Sequence, residues 1–227
     1  MQEEIFMKLD FDCSAVLHKR SKRSEGRLSM EDKRSNIALS LIPRRKFRRA
    51  LDIGCGLGVM LEKLSQISEE VVGLDIVNNT ETTKLILFDL NSGKLPFKDE
   101  SFDLIVCTEV LEHLCYPHQV LKEISRILTA DGYFVVSLPN SYNIIDLFKI
   151  IRGKPIPELD FDAYGHHVFT SIEQNLNFIK REFDIIDLTY YYIKHKYVSK
   201  FAKRFSYRSI VNRWLAYSVF ALCKKRD

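Results

Sequence analysis

The sequence predicts an α/β protein with a doubly wound, mostly parallel sheet and helices on both faces. From residue 50 onward, short runs rich in β-branched and aromatic residues alternate with stretches whose apolar residues recur at helical spacing. The composition agrees, because 46% hydrophobic and 28% charged residues in a chain of 227 suffice for one sizeable core. Strands that alternate with helices are typical of parallel sheets covered on both faces.

Five strands and two helices are predicted in the first part of this alternation. Each strand is a short apolar run, and each helix repeats its apolar residues three and four positions apart. The helices cover Met60–Ile67 and Val120–Leu128. The strands are Ala50–Ile53, Val71–Asp75, Lys84–Asp89, Phe102–Thr108 and Tyr133–Leu138.

The same patterns extend the prediction to both ends of the chain. Toward the C-terminus they indicate a helix over Ile172–Arg181 and strands over Phe183–Tyr192 and Trp214–Cys223. Near the N-terminus, Ser29 and Asp32 form a capping-box pattern for a helix that runs through Leu41. We therefore divide the chain into a basic, helical N-terminal extension, residues 1–47, and one domain, residues 48–227.

Cysteine content and the chain ends bear on where the protein works. The five cysteines are odd in number and include no C-x-x-C pair, which does not fit a secreted disulfide framework. The first residues lack the basic and apolar regions of a signal peptide, and the uncharged apolar run 214–223 is about half the length that spans a bilayer. We expect a cytoplasmic protein, with peripheral membrane contact as an open alternative.

Charge is distributed unevenly along the chain. Residues 17–49 carry 12 basic and 3 acidic side chains, and residues 194–227 carry 10 basic and 1 acidic, although the net charge is only +4. Clustered positive charge attracts anions at physiological salt, so RNA, an anionic membrane surface or a phosphorylated metabolite are candidate partners. An ordinary solvated surface explains the same pattern equally well.

Residues 51–58 read L-D-I-G-C-G-L-G and contain the most informative turn of the sequence. A strand that ends in a glycine-rich turn and opens a helix lets the backbone approach a ligand closely. A nicotinamide dinucleotide site requires glycine where Val59 stands, so that cofactor is disfavoured.

Asp75 ends the next strand, 21 residues after Gly54, where a carboxylate suits the hydroxyls of a ribose. Asp89 ends the third strand and can accept a hydrogen bond from an exocyclic amine.

These segments, together with L-P-F-K-D-E-S-F-D at residues 95–103, resemble the class I S-adenosylmethionine-dependent methyltransferases, in particular the methyltransferase type 11 and ubiquinone-biosynthesis-like group. The four motifs lie in the family's order and spacing, over roughly residues 48–192. The resemblance implies a seven-stranded Rossmann-like sheet and S-adenosylmethionine as cofactor. It also implies the cofactor-binding residues: Asp52, Gly54, Gly56 and Gly58 for the methionine moiety, Asp75 for ribose, Asp89 and Leu90 for adenine, and Cys55, Ile76 and Cys107 along the same site.

One segment departs from the family pattern. Only nine residues, 76–84, join the second strand to the third. A parallel crossover takes at least about 10–12 residues when it includes a helix. We therefore expect this helix to be truncated or absent and the adenine side of the site to be less covered than usual.

Residues 107–114 read C-T-E-V-L-E-H-L and follow the fourth strand, where the methyl group is expected. In a helix, Glu109, Glu112 and His113 would share one face, because they stand at positions i, i+3 and i+4. With His167, this string resembles two metal-dependent branches of the family, the ubiquinone-biosynthesis O-methyltransferases and the small-RNA 3′-end 2′-O-methyltransferases. That resemblance implies Glu109, Glu112, His113 and His167 as ligands of Mg, Mn, Fe or Zn. Without metal, Glu109, His113 or His167 could be the general base, or the histidines could only pack.

The segments after the fifth strand are expected to select the acceptor. We interpret residues 141–170 as a lid that contains an apolar helix over 143–152. This helix could cover a greasy acceptor, touch a membrane with its basic residues at the headgroups, pack in the core or form a dimer contact. The basic insertion 194–213 interleaves cationic and aromatic residues, which suits either RNA or the buried face of an amphipathic helix.

Together these observations predict methyl transfer from S-adenosylmethionine, with a hydroxyl oxygen of a small, lipid-linked or glycan acceptor favoured. The layout after the fifth strand resembles methyltransferases that act on surface glycans and on lipid-linked or quinone-type acceptors. A metal-dependent RNA ribose 2′-O-methyltransferase is one alternative. The other is a cofactor-binding adaptor without catalysis. The sequence specifies neither the acceptor, nor the metal, nor the oligomeric state.

Overall fold

A computed structural model of the protein describes residues 24–80, 84–154, 170–192 and 214–226. The helices in these residues are α1 Ser24–Leu41, α2 Val59–Ile67, α3 Pro117–Ile127, α4 Ile144–Ile151 and α5 Ile172–Ile179. The strands are β1 Phe47–Ile53, β2 Ser68–Asp75, β3 Leu85–Leu87, β4 Phe102–Thr108, β5 Leu128–Pro139, β6 Phe183–Tyr191 and β7 Ser218–Lys225. They form one seven-stranded sheet in the order β3-β2-β1-β4-β5-β7-β6.

The sheet is parallel from β1 to β5, and β7 runs antiparallel between β5 and β6. At its centre, β1 pairs Asp52 with Val106 and Ile53 with Cys107 of β4. On its other side, β1 pairs Asp52 with Gly73 of β2. The carboxyl ends of β1, β2 and β4 therefore meet at one edge, where open parallel sheets bind ligands.

Helices cover both faces of the sheet, as predicted. Side chains of β4 alternate between two cores, because successive strand residues point to opposite faces. Val106 packs with Ala38 of α1 and Leu64 of α2 on one face. Ile105 packs on the other face in the cluster that contains Ile124 of α3. The doubly wound α/β prediction is confirmed.

The predicted elements occur in the predicted order, and several of their ends differ. The fourth strand, Phe102–Thr108, is found as predicted. The third is shorter, Leu85–Leu87, and lies at the edge of the sheet, where it has a single neighbour. The fifth is longer, Leu128–Pro139, because the chain passes directly from α3 into the strand. The last strand begins at Ser218 rather than at Trp214.

The N-terminal helix begins earlier than the sequence predicts. Because α1 starts at Ser24, Ser29 and Asp32 lie inside it, and the predicted capping box is wrong. A capping box needs the backbone N–H groups of a helix start, which lack helical partners. Asp32 instead accepts a hydrogen bond from Lys63 Nζ of α2 at 2.8 Å. Ala38 is fully buried, so α1 packs into the same core as the sheet.

The short connection after β2 contains no helix in its described residues, 76–80 and 84. A groove of about 390 Å³ lies beside α2 and β2, and its lining includes Gly58, Glu62, Thr80 and Lys84. Its position next to β2 agrees with the missing crossover helix. No helix in the part of the chain described here is long and apolar enough to cross a membrane.

Candidate functional site

β1 ends in a turn whose three glycines have positive φ angles. Gly54, Gly56 and Gly58 have φ values of 72°, 52° and 83°, a region that residues with a Cβ rarely adopt. At Gly54 space is also limiting, because an added Cβ would lie 2.3 Å from Val110 Cγ2. The turn therefore depends on glycine for its shape, and at Gly54 also for close approach to the segment after β4.

The end of β2 is fastened to this turn by hydrogen bonds. The Gly54 N–H donates to the Leu74 carbonyl at 2.7 Å. The Asp75 carboxylate accepts from the Gly56 N–H at 2.8 Å and from the Val77 N–H at 3.1 Å. Two backbone donors thus orient Asp75, and each of its oxygens retains acceptor capacity for a ligand hydroxyl.

Asp52 lies directly beneath the glycine turn and is 2% exposed. Its Oδ2 is buried and has no hydrogen-bond partner among the described residues. Burial raises the pKa of this carboxyl well above its ordinary value, and the nearby charges of Asp75 and Glu31 raise it further. Because an unpartnered buried carboxyl is costly, an ammonium group of a ligand would supply what the site lacks.

The residues predicted to contact adenine lie near the ends of β2 and β3. Ile76 is 58% exposed directly after Asp75, which suits a side chain that covers a flat ligand ring. Asp89 is exposed, and its Oδ1 accepts from the Asn91 N–H at 2.8 Å, so it caps the 3₁₀ turn Leu90–Ser92. Asp89 thus has a structural role, and its contact with adenine stays a prediction.

Cys55 and Cys107 are both buried near Asp52. Burial raises the pKa of Cys55 to about 12 and that of Cys107 well above its ordinary value. Both thiols are therefore neutral at physiological pH. They are not expected to act as nucleophiles, because the thiolate is the nucleophilic form. This fits the interpretation of both residues as small lining side chains.

Glu109 follows β4 and is held by three contacts with two residues, Ser137 and Arg34. Its backbone has a left-handed φ of 56°, and its N–H donates to Ser137 Oγ at 3.0 Å. The same hydroxyl donates to Glu109 Oε1 at 2.9 Å. Arg34 of α1 forms an ion pair with Oε2 at 3.0 Å. Sequence reasoning missed Arg34 and Ser137, because nothing in the sequence indicates that either lies beside Glu109.

Glu112 is a deeply buried acid in the segment after β4. It lies in the 3₁₀ turn Leu111–His113 and is 1% exposed. Neither of its side-chain oxygens has a hydrogen-bond partner in the described part of the chain. Burial raises its pKa well above the ordinary value, and the charge of Glu109 adds to this effect. The structure therefore favours a protonated Glu112.

The helix that would place Glu109, Glu112 and His113 on one face does not form. Glu109 is left-handed because its amide turns toward Ser137, and only Leu111–His113 then forms a short 3₁₀ turn. Residues 24–80, 84–154, 170–192 and 214–226 contain no group of three or more His, Cys, Asp or Glu side chains placed to hold a metal ion. His167 lies outside these residues, so the four-ligand set stays a prediction.

The segment 95–103 of the family motif contributes to stability rather than to the site. Asp103 accepts hydrogen bonds from the Arg48 and Arg49 N–H groups at 2.9 and 2.8 Å, which ties the start of β4 to β1. Arg126 of α3 donates to Asp99 and Glu123 at 2.6 Å. It also donates to the carbonyls of Leu95 and Phe97. This motif therefore fastens a loop to α3.

The basic segments are only partly described. Within residues 17–49, Arg45 stacks on Phe47 and Tyr133, and Arg49 pairs with Glu70. These two side chains therefore have intramolecular partners. The basic insertion 194–213 lies outside the described residues, and so does most of the predicted lid, 155–169.

The sheet order, the reversed β7, the glycine turn after β1 and the acid at the end of β2 define a class I methyltransferase-type α/β domain. Comparison with known families agrees, because residues 51–136 match the family described as "Methyltransferase domain". The match over residues 51–136 and the fold together support a class I S-adenosylmethionine-dependent methyltransferase domain.

Three relatives illustrate the similarity. An uncharacterized protein of Methanocaldococcus jannaschii is 33% identical over 148 residues, which are 60% of this chain and 62% of the relative. A probable S-adenosylmethionine-dependent methyltransferase of Mycolicibacterium smegmatis is 33% identical over 99 residues, 41% of this chain and 38% of that protein. A ubiquinone biosynthesis O-methyltransferase of Aliivibrio fischeri is 27% identical over 124 residues, 49% and 53% of the two chains. The chain thus spans less than two thirds of the length of these relatives.

Solved structures show the same fold. The complex between the Haloferax volcanii Trm112 methyltransferase activator and a putative methyltransferase superposes with a TM-score of 0.59. The two superposed chains are 20% identical in sequence, and the superposition covers 89% of this chain and 95% of the other. At this level of identity the likeness concerns the fold alone.

Proposed function

We propose that this chain transfers the methyl group of S-adenosylmethionine to a hydroxyl oxygen. The observation that carries the proposal is the arrangement after β4, where an ion-paired Glu109 lies beside a buried Glu112. The side-chain oxygens of Glu112 have no hydrogen-bond partner among the described residues. Val110, between them, contacts the glycine turn after β1. A cofactor on that turn would therefore lie next to a carboxylate that can serve an acceptor hydroxyl.

The residues around the turn fit this cofactor. The partnerless Oδ2 of Asp52 suits the ammonium of a methionine moiety, and the oriented Asp75 suits the two ribose hydroxyls. Gly54, Gly56 and Gly58 keep the cradle free of side chains. When bound, S-adenosylmethionine supplies a sulfonium methyl: a C–O bond forms as the S–C bond breaks, and the electron pair stays on sulfur.

The chain's own contribution is proton handling and orientation. Glu109 accepts the proton that the acceptor hydroxyl loses, since a carboxylate within hydrogen-bond reach is a competent general base. Ser137 and Arg34 fix its two oxygens in place, and Oε1 retains acceptor capacity beside the Ser137 hydroxyl. Glu112 in its protonated form adds no second negative charge next to this base.

Hydroxyl acceptors are preferred over amines because of the carboxylate at this position. A neutral amine attacks a methyl donor without prior loss of a proton, whereas a hydroxyl gains from a base. The Aliivibrio fischeri relative is named as an O-methyltransferase, which supports the same choice. Small, lipid-linked or glycan hydroxyls all remain within this proposal.

A metal-dependent reaction is a second candidate, and the two partnerless oxygens of Glu112 favour it. In this alternative Glu109, Glu112, His113 and His167 would bind a divalent ion, which would lower the pKa of the acceptor hydroxyl. Arg34 would then have to leave Glu109. An RNA ribose is an acceptor of this kind, and the basic segments suit its phosphates.

The cofactor is tested first by titration calorimetry of the full chain with S-adenosylmethionine. Asp52→Asn and Asp75→Asn should each weaken binding about tenfold or more, because each removes a charged hydrogen-bond partner of the ligand. Asp187→Asn, an exposed acid on β6, is the matched control. If wild-type protein binds nothing, or the control weakens binding equally, the proposal fails.

Turnover is tested by S-adenosylhomocysteine release with a panel of phenols, catechols, primary amines, lipid extracts and RNA oligonucleotides. Glu109→Gln should retain cofactor binding and lose turnover about 100-fold, within the usual contribution of a general base. EDTA treatment tests the metal-dependent reaction. That reaction would be supported instead if EDTA abolishes activity and Mg²⁺ or Mn²⁺ restores it in the wild type but not in Glu112→Gln. Binding without turnover on the whole panel would support the adaptor.

A further inference from the structure

Helix α4 presents its apolar side chains to solvent. Ile144, Ile145, Phe148, Ile150 and Ile151 are 49%, 45%, 56%, 51% and 80% exposed. Tyr142, just before the helix, is 48% exposed. An amphipathic helix on a protein in water turns such residues toward the core, so this helix has the opposite orientation.

The orientation is set by buried polar residues. Asn143 and Asp146 are 4% and 5% exposed, and the Asn143 side chain caps the helix by accepting from the Asp146 N–H at 3.1 Å. Asn143 Nδ2 donates to the Asn140 carbonyl at 3.0 Å. Asn140 is tied in turn to Ala216, just before β7, at 2.9 Å. This chain of buried hydrogen bonds attaches the polar side of α4 to the end of β5.

Positive charge lies at the C-terminal end of the exposed apolar surface. Lys149 pairs with Asp146, the single acid in residues 142–154, at 2.6 Å. The Arg152 guanidinium stacks on the Phe148 ring at 5.3 Å, and Lys154 is exposed beyond the helix end. Asp146 is buried, so no exposed acid opposes these cations within residues 142–154.

We propose that α4 is a membrane-contacting helix that inserts its outward apolar side chains into an anionic bilayer surface. Isoleucine and phenylalanine gain from burial among acyl chains, while arginine and lysine side chains reach the phosphates of the headgroups. Charge favours this occupant over a second copy of the chain, because two such surfaces would bring like charges together at the contact. The contact does not depend on methyl transfer, so the two proposals fail separately.

The first test is co-sedimentation of the full chain with phosphatidylcholine vesicles that contain or lack phosphatidylglycerol. Wild-type protein should bind the anionic vesicles, less so at high salt. Phe148→Ser/Ile151→Ser should weaken binding about tenfold or more, because two inserted side chains are lost. Ile186→Ser, on a residue of β6 that is 51% exposed, should bind like wild type. Equal binding by all three proteins would overturn the proposal.

Tryptophan fluorescence tests insertion directly. The chain contains one tryptophan, Trp214, so Trp214→Phe/Phe148→Trp places a single reporter on α4. Its emission should shift to shorter wavelength on anionic vesicles and be quenched by brominated lipid. An unchanged spectrum on vesicles that bind the protein would overturn the proposal. Concentration-dependent dimerisation that Phe148→Ser/Ile151→Ser abolishes, without vesicle binding, would assign α4 to a second copy instead.

Discussion

Arg34 and Glu109 form an ion pair of 3.0 Å, although one lies in the N-terminal helix and the other follows β4. Glu31, one turn before Arg34, lies 3.6 Å from the position that a Cβ on Gly56 would occupy. Helix α1 therefore reaches the carboxyl edge of the sheet with Glu31 and Arg34 and brings these two charged side chains to the candidate site. The matched family segment, residues 51–136, does not include this helix.

Removal of the Arg34 charge should destabilise the protein. The two side chains are only 21% and 11% exposed, so Arg34→Met leaves a largely buried carboxylate without its cation. We expect a loss of about 2 kcal/mol in the free energy of unfolding, measured in urea. The exposed neighbour Lys33→Met should cost far less. If Arg34→Met and Lys33→Met are equally stable, the ion pair contributes no stability. The same conclusion follows if the double variant Arg34→Met/Glu109→Gln is no more stable than Arg34→Met.

Gly54→Ala should be costly for two separable reasons. A left-handed φ of 72° strains an alanine by about 1–2 kcal/mol, and the added Cβ meets Val110 Cγ2 at 2.3 Å. Gly153→Ala is a matched control, because Gly153 has a φ of 62° with nothing within 4 Å of an added Cβ. Thermal unfolding should show Gly54→Ala as the less stable variant. The double variant Gly54→Ala/Val110→Ala should recover the steric part, and a failure to do so would place the cost elsewhere.

Stability should also depend on pH through Asp52. Its folded-state pKa is raised above its ordinary value of 3.8, so the folded protein holds a proton that the unfolded chain releases. This contribution is present in full below pH 3.8 and is lost as pH rises toward the raised pKa. Asp52→Asn cannot ionise, so its melting temperature relative to wild type should rise over the same window. A difference that stays constant with pH, measured without ligand, would falsify the raised pKa.

The sequence predicts the sheet well because its signals are local. The apolar runs of β1, β2 and β4 mark strands, and the glycines after β1 mark a turn that only they can form. The observed order of the strands agrees with the family resemblance and with short connections between consecutive elements. The ends of elements are harder to predict, since β5 continues from α3 without the turn residues that would mark a boundary.

The site could be predicted only where the ends of neighbouring strands supply it. Asp52, the glycines and Asp75 are found together at the carboxyl edge because adjacent parallel strands end there. Glu109 depends on Ser137 and Arg34, which lie far away in sequence. The left-handed turn that this contact requires overrides the helical spacing of the glutamates and His113, so their common face does not form.

Arg126 explains why segment 95–103 matters although it lies away from the site. The guanidinium is 19% exposed and donates to two carboxylates and two carbonyls, so it closes the loop before β4 onto α3. Arg126→Met leaves the partly buried carbonyls of Leu95 and Phe97 without this donor and should cost about 2 kcal/mol in urea unfolding. Arg126→Lys should recover only part of this lost stability, because an ammonium cannot reproduce the planar set of donors.

The control is Lys122→Met, a substitution of an exposed residue on the same helix. Cofactor affinity should be unchanged in all three variants, since none of these contacts reaches Asp52 or Asp75. Equal stability of the Arg126 and Lys122 variants would contradict a structural role for this network.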